Sequence, residues 1–155
     1  HHQIPELQDL AQAFPDTAIV MDHVGGPLGI GPYVGKRDEI FATWSKDVTA
    51  LADCPNVHVK LGGLAMKMTG FGHHKLAEPP ASEVLAEDWK PYIMHCIEAF
   101  GPDRCMFESN FPVDKSTCAY NTLWNAFKRV VADFPAGEKA ALFHDTAARF
   151  YRIEE

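Results

Sequence analysis

The 155-residue sequence contains no run of lysine or arginine, no apolar stretch approaching the length of a membrane span and no CxxC pair, and each absence removes a class of function. With 21 acidic against 14 basic residues, a formal charge of −7 and no basic stripe, nothing is available to neutralise a phosphate backbone, so nucleic acid is not an expected partner. A spanning helix needs about 20 consecutive apolar residues. None is present, and the N-terminus has no basic segment followed by an apolar core, so no membrane partner is expected. The four cysteines, Cys54, Cys96, Cys105 and Cys118, lie far apart in a chain too apolar to depend on disulfides. A reducing cytoplasm is therefore the expected location, with Cys96 and Cys105 in the core. Asn-Gly and Asp-Gly, the strongest hairpin signals, are missing too. Gly25, Gly26, Gly29 and Gly31 complete neither GxGxxG nor GxxxxGK[ST], so the phosphate-cradle motifs are unmatched.

What is present is 46% apolar residues, enough for one core of ordinary size. Leu7, Leu10, Ala11 and Phe14 fall at three- and four-residue spacings and predict a helix from Pro5 to Phe14. Thr17 to Met21 is β-branched and apolar without alternation, as in a strand covered on both faces. His23 to Gly35, with five glycines and two prolines, reads as loop. A second helix is predicted over Glu39 to Ala52 with Asp38 as its cap, and a second strand over Val57 to Leu61, ending in Gly62-Gly63. The stretch from Leu64 to Asp88 is too long for a simple connector and is expected to carry function or cover a site. A helix at Trp89 to Phe100, a third strand at Arg104 to Phe107, and helices at Tyr120 to Phe134 and Lys139 to Tyr151 complete the reading.

Strands alternating with helices, without hairpins, imply parallel pairing and an α/β fold. The strand-to-strand period is on the order of 40 residues, compared with about 30 in a (β/α)8 barrel, and the excess lies in the loops after the strands. Three strands cannot close a barrel, and the chain opens on His1-His2-Gln3 without a methionine, so it is expected to be the C-terminal part of a larger TIM-barrel enzyme, a single partial domain over residues 1–155.

Barrel enzymes keep their chemistry at the C-terminal ends of the strands. His23 sits at such an end, where an imidazole acts as general base, polarises a carbonyl, ligates a metal or merely holds the following loop. Glu108 and Asn110 follow the third strand, and on an extended chain they share one face while Ser109 points the other way. Asn110 can hydrogen-bond but cannot move a proton at neutral pH, so a carboxylate role falls to Glu108 or Asp114, unless Glu108 only pairs with Lys60 on the neighbouring strand. Lys60 either enters the site or lies outward along a helix. His73-His74 reads as a solvated loop rather than a ligand pair, and His144-Asp145 as a structural helix start. Trp44, Trp89 and Trp124 are expected in helix packing.

Four segments together, Val20-Met-Asp-His-Val-Gly-Gly-Pro27, Val57-His-Val-Lys-Leu-Gly-Gly63, Asp103-Arg-Cys-Met-Phe-Glu-Ser-Asn-Phe-Pro-Val113 and Ala147-Ala-Arg-Phe-Tyr151, resemble the C-terminal half of the amidohydrolase-related TIM-barrel hydrolases, in the fuconolactonase-like and pyrone dicarboxylate lactonase-like subgroup. The resemblance implies that the three strands are the sixth, seventh and eighth of the barrel, that His23 matches the sixth-strand histidine, and that His1 or His2 follows the fifth strand. It also implies hydrolysis of a small-molecule substrate, a lactone or cyclic ester, by an activated water. In that reading His23, Glu108 and Asn110 are catalytic, while His2, Lys60 and Asp114 bind substrate. The family usually carries Asp-Trp where Asn110-Phe111 stand, and Asn is a poor ligand for a transition ion. The cofactor expectation is therefore either none or one zinc. A zinc-dependent amidohydrolase or decarboxylase, and a barrel that has lost its base at Asn110, are the alternatives; a homo-oligomer fits all of them.

Overall fold

The computed structural model describes residues 1–153. Its elements are α1 (Ile4–Ala13), β1 (Ile19–Met21), α2 (Arg37–Ala52), β2 (Val57–Leu61), α3 (Ser82–Phe100), β3 (Cys105–Phe107), α4 (Tyr120–Val130), α5 (Ala136–Ala140) and α6 (Thr146–Tyr151). The strands form one parallel sheet in the order β1-β2-β3, with Val20 opposite His58, Met21 opposite Val59, Lys60 opposite Met106 and Leu61 opposite Phe107. Successive strands run the same way because a whole helix lies in each connection.

The pleat divides the sheet into two faces. Met21, Val57, Val59, Leu61, Cys105 and Phe107 belong to a core cluster with Trp44, Val48, Leu51, Trp89, Ile93, Cys96 and Phe127, while the Phe107 ring stacks 4.7 Å from Phe127 and 4.6 Å from Phe143. Val20, His58, Lys60 and Met106 take the opposite face, where the Phe150 ring lies 4.9 Å from His58. At the N-terminal end of the sheet, Arg104 donates to the carbonyls of Phe100, Cys54 and Ala52, and Asn56 donates to those of Ala11, Phe14 and Thr17. The carbonyls of Ala11, Ala52 and Phe100 among these lie in the last turns of their helices, where carbonyls lack partners within the helix.

Several boundaries differ from those read in the sequence. Helix α2 begins at Arg37, and its cap position, Lys36, makes no side-chain cap bond. Asp38 does not cap it but lies inside the first turn, where its charge favours the helix dipole. Helix α3 starts at Ser82, seven residues before the expected start at Trp89, because Leu85, Ala86 and Trp89 extend one buried face and Pro91 is accommodated within it. Helix α4 ends at Val130 rather than Phe134. The last expected helix divides into α5, a π-helical turn over Ala141–Asp145 and α6, so His144 lies in mid-helix and not at a start, paired at 2.9 Å with Asp145. Trp44 and Trp89 are fully buried, Trp124 is half-buried, and all four cysteines are buried and unpaired. No helix of the described residues is long and apolar enough to cross a membrane.

Trp44 links this core to the turn after β1. Its indole Nε1 donates to the Val24 carbonyl at 2.7 Å, and both residues have no exposure. Trp44→Phe removes the donor, opens a void and leaves a buried carbonyl without a partner. Denaturant unfolding of the full-length protein is expected to show a loss of about 2–3 kcal/mol, and a stability equal to wild type contradicts this account.

Candidate active site

The polar face of the sheet continues past the strand ends. Asp22, one residue beyond β1, comes next to Lys60 in register, and Glu108, one residue beyond β3, follows Met106 on the same face. Lys60 Nζ lies 3.0 Å from Asp22 Oδ1 and 3.8 Å from Glu108 Oε2. The other carboxylate oxygen, Glu108 Oε1, accepts from the His23 backbone N–H at 3.2 Å and contacts His23 Nδ1 directly. Three strand ends thus bring one imidazole, one ammonium and two carboxylates together.

The hydrogen bond from Nδ1 to Glu108 raises the His23 pKa above its ordinary value, against the opposing effect of partial burial. It also fixes the ring so that Nε2 is the nitrogen not engaged by the carboxylate. Burial on its own lowers the Lys60 pKa, but Asp22, Tyr151 and Glu108 together hold the ammonium well above its usual range. Lys60 is charged at any working pH, and it enters the site to meet the carboxylates of Asp22 and Glu108 while also contacting Tyr151 of α6.

Backbone geometry makes this approach feasible. A Cβ on Gly62 would stand 2.4 Å from Glu108 Cγ, and one on Gly63, where φ is +68°, would stand 2.6 Å from His23 Cβ and Cγ. The end of β2 must therefore lack side chains for His23 and Glu108 to meet across it. His23, Val24 and Asn110 adopt positive φ values of 56°, 48° and 51°, a conformation that costs non-glycine residues energy. The Trp44 bond to Val24 and the Glu108 bonds to His23 hold the first of these turns in place.

Asn110 donates from Nδ2 to Asp114 Oδ1 at 3.0 Å. Asp114 is fully buried, and burial pushes its carboxyl up to about 6, although the Asn110 bond acts in the opposite direction. Because β3 ends at Phe107, residues 108–110 lie in the following turn, and it is this contact rather than strand alternation that orients Asn110. His2 bonds through Nε2 to the Tyr33 hydroxyl, outside the cluster around His23. His73 is not a solvated loop residue: its Nε2 lies 2.8 Å from Asp88 Oδ2, and its side chain is largely buried. Sequence reasoning placed His23 and Glu108 at a common mouth and left Lys60 open between the site and an outward helix, but missed Asp22 and Tyr151 as partners. The signal for Asp22 was its place directly after a strand, whereas Tyr151 sits in a distant helix and had none.

Among the described residues, no three of His, Cys, Asp and Glu are grouped to hold a metal ion. His23 Nδ1 is committed to Glu108 and Asn110 is bound to Asp114, so the described residues do not form a metal centre by themselves.

The family model described as Amidohydrolase matches residues 1–153. An uncharacterized protein of Sinorhizobium fredii is 40% identical over 151 residues, covering 97% of this chain and 44% of its own length. A Burkholderia ambifaria protein named L-fucono-1,5-lactonase is 30% identical, covering 97% of this chain and 47% of its own. Two crystal structures of a Burkholderia multivorans amidohydrolase, one with bound HEPES and one with bound zinc, superpose with TM-scores of 0.83 and 0.82 at 27% identity, over 99% of this chain and 50% of theirs. The chain spans about half the length of the curated relatives it matches. Its parallel strands and helices are part of a (β/α)8 barrel, as expected from the sequence.

Two outcomes follow from this geometry. Gly63→Ala drives a methyl group into the His23 ring, so NMR titration of the full-length protein should show the His23 pKa falling toward 6.5, whereas Gly72→Ala, at φ +80° but in open space, should leave it raised. An unshifted His23 in Gly63→Ala refutes the steric argument. For Asp114, the folded state keeps its proton up to about pH 6 while the unfolded chain releases it near 3.8, so stability falls as pH rises through that window. Asp114→Asn should therefore gain on wild type by roughly 2 kcal/mol between pH 4 and pH 7, and a gap independent of pH contradicts the raised pKa.

Proposed function

The chain belongs to the amidohydrolase family, and we propose that it supplies the catalytic dyad of a barrel enzyme that hydrolyses a lactone or related cyclic ester. The observation that carries this reading is the His23–Glu108 pair, contributed by two different strand ends and brought together over Gly62-Gly63. The L-fucono-1,5-lactonase name of the Burkholderia ambifaria relative supports the substrate class. In this reading the three strands are the sixth, seventh and eighth of the barrel.

In the proposed mechanism, Glu108 accepts from Nδ1–H, so neutral His23 presents the Nε2 lone pair to a water. His23 removes a proton as the water oxygen attacks the ring carbonyl. The tetrahedral intermediate collapses, the ring C–O bond breaks, and the leaving alkoxide takes the proton back from the imidazolium. The product is one open hydroxycarboxylic acid, whose carboxyl proton, the second of the water, is released to solvent to leave the hydroxycarboxylate. Glu108 is thus a positioning and charge-stabilising group rather than the base, and Lys60 lies 3.8 Å from its other oxygen. The Asn110 amide, aimed by Asp114, binds substrate, and Lys60 provides positive charge at the mouth. His2, bonded to Tyr33, is assigned to the substrate's outer part. The four buried, unpaired thiols support a reducing, cytoplasmic setting.

The second reading is a zinc-dependent hydrolase of the same fold, favoured by the zinc in one Burkholderia multivorans structure. In that case, the metal ligands come mainly from the other half of the barrel. Stoichiometric zinc in the purified full-length protein, with activity lost on chelation and restored by zinc, selects this reading.

Against a panel of 1,4- and 1,5-lactones, His23→Ala in the full-length enzyme is expected to lower kcat/KM by about 10²–10⁴-fold. Wild-type kcat/KM should rise with pH through a pKa above 6.5, the direction in which Glu108 moves His23, and Glu108→Gln should bring that limb back down while reducing the rate. Near-normal turnover in His23→Ala eliminates the dyad mechanism.

A further inference from the structure

A second hollow, of about 290 Å³, lies on the other side of the loops that border His23. Gly25, Gly26, Met66 and Met68 line the hollow beside His23, whereas the next residues of the same loops, Pro27 to Gly29 and Thr69 to Phe71, line this one. The two loops are locked together: Gly29 N–H donates to the Met68 carbonyl at 2.8 Å, and a Cβ on either Gly29 or Gly70 would stand 2.3 Å from the other loop's backbone oxygen. Its walls are therefore preformed.

Arg37 is fixed in this hollow. Its guanidinium stands 4.0 Å over the Phe71 ring, and Nη1 donates to the Tyr92 hydroxyl at 3.5 Å. No carboxylate among the described residues pairs with it. Tyr92 is buried and accepts from Arg37, so its own O–H has no acceptor among the described residues and remains free to donate. A planar cation with one face packed on Phe71 and one N–H on Tyr92, beside a hydroxyl donor, matches a carboxylate, which the guanidinium binds by two parallel hydrogen bonds. Asp38, also on the wall, disfavours a second negative charge and can accept from a hydroxyl.

We propose that this hollow is a second binding site, separate from the dyad, for a small hydroxycarboxylate, with the carboxylate on Arg37 and Tyr92 and a hydroxyl on Asp38. Its identification with the reaction's product class rests on the lactonase reading, because opening a lactone leaves a hydroxycarboxylate; the binding chemistry does not depend on that reading. A volume of about 290 Å³ accommodates a compact ligand, at the small end of ordinary sites.

Calorimetric titration of the full-length protein with gluconate, and with glucitol as the uncharged control, tests this site. Gluconate should bind and glucitol should not. Affinity should fall by at least about tenfold in Arg37→Met, which keeps the packing but removes the charge, and by a smaller factor in the isosteric Tyr92→Phe. It should persist in His23→Ala, which disables the dyad. Binding lost in His23→Ala but retained in Arg37→Met places the anion in the catalytic cleft and overturns the proposal, as does the absence of gluconate binding at millimolar concentration. If Arg37→Met fails to fold, Tyr92→Phe and Asp38→Asn decide: unchanged affinity in both overturns the proposal. Gluconate binding lost in Arg37→Met, in an enzyme that opens no lactone, leaves this site standing while the lactonase reading falls.

Discussion

The meeting of His23 and Glu108 across the end of β2 is the constraint on which the site depends. The two residues stand on strands that are not neighbours, and the strand between them must end without side chains for the contact to form. Gly62 and Gly63 satisfy that condition at distances where a single methyl group would collide with Glu108 or His23. The strained turn at His23 and Val24 follows from the same requirement, since the chain must reverse at once to aim the imidazole over the glycines. Trp44 reaches from α2 to hold that turn through the Val24 carbonyl, so a residue of the helical layer helps to set the position of a residue in the mouth.

The two faces of the sheet separate stability from chemistry. One face joins a continuous apolar cluster with α2, α3 and α4. The other carries His58, Lys60 and, beyond the strands, Asp22 and Glu108. Clustering two carboxylates is unfavourable unless cations lie between them. Lys60 bridges Asp22 and Glu108 while His23 takes the remaining oxygen of Glu108. Asp114 is handled differently: it is buried with one hydrogen bond from an amide, and its raised pKa is the consequence. The same cluster therefore contains carboxylates paired with cations and one that is buried without a cation, its pKa raised to about 6.

Much of this was legible in advance. The β2 boundaries were read correctly from Val57 to Leu61, because a short apolar run with Gly-Gly at its end has few alternatives. The placement of His23 and Glu108 at a common mouth followed from the rule that parallel strands present their C-terminal ends on one side. Other features were not legible because their causes are nonlocal. The early start of α3 depends on Leu85 and Ala86 finding a core face, the π-helical turn over Ala141–Asp145 has no local signature, and His73 became a buried partner of Asp88 only through the approach of a loop to a helix.

By itself, the sequence determined the parallel α/β order, the apolar strands, the polar residues at their ends and the glycines that close β2, because periodicity, side-chain chemistry and the missing Cβ are local properties. Tertiary structure alone decided that Lys60 lies between Asp22 and Glu108, that Glu108 holds His23 by Nδ1, that Asn110 turns to Asp114, and that Arg37 stacks on Phe71 in a hollow of its own. These contacts join residues far apart in the chain, and their distances are set by strand register and loop crossing, which no local pattern encodes.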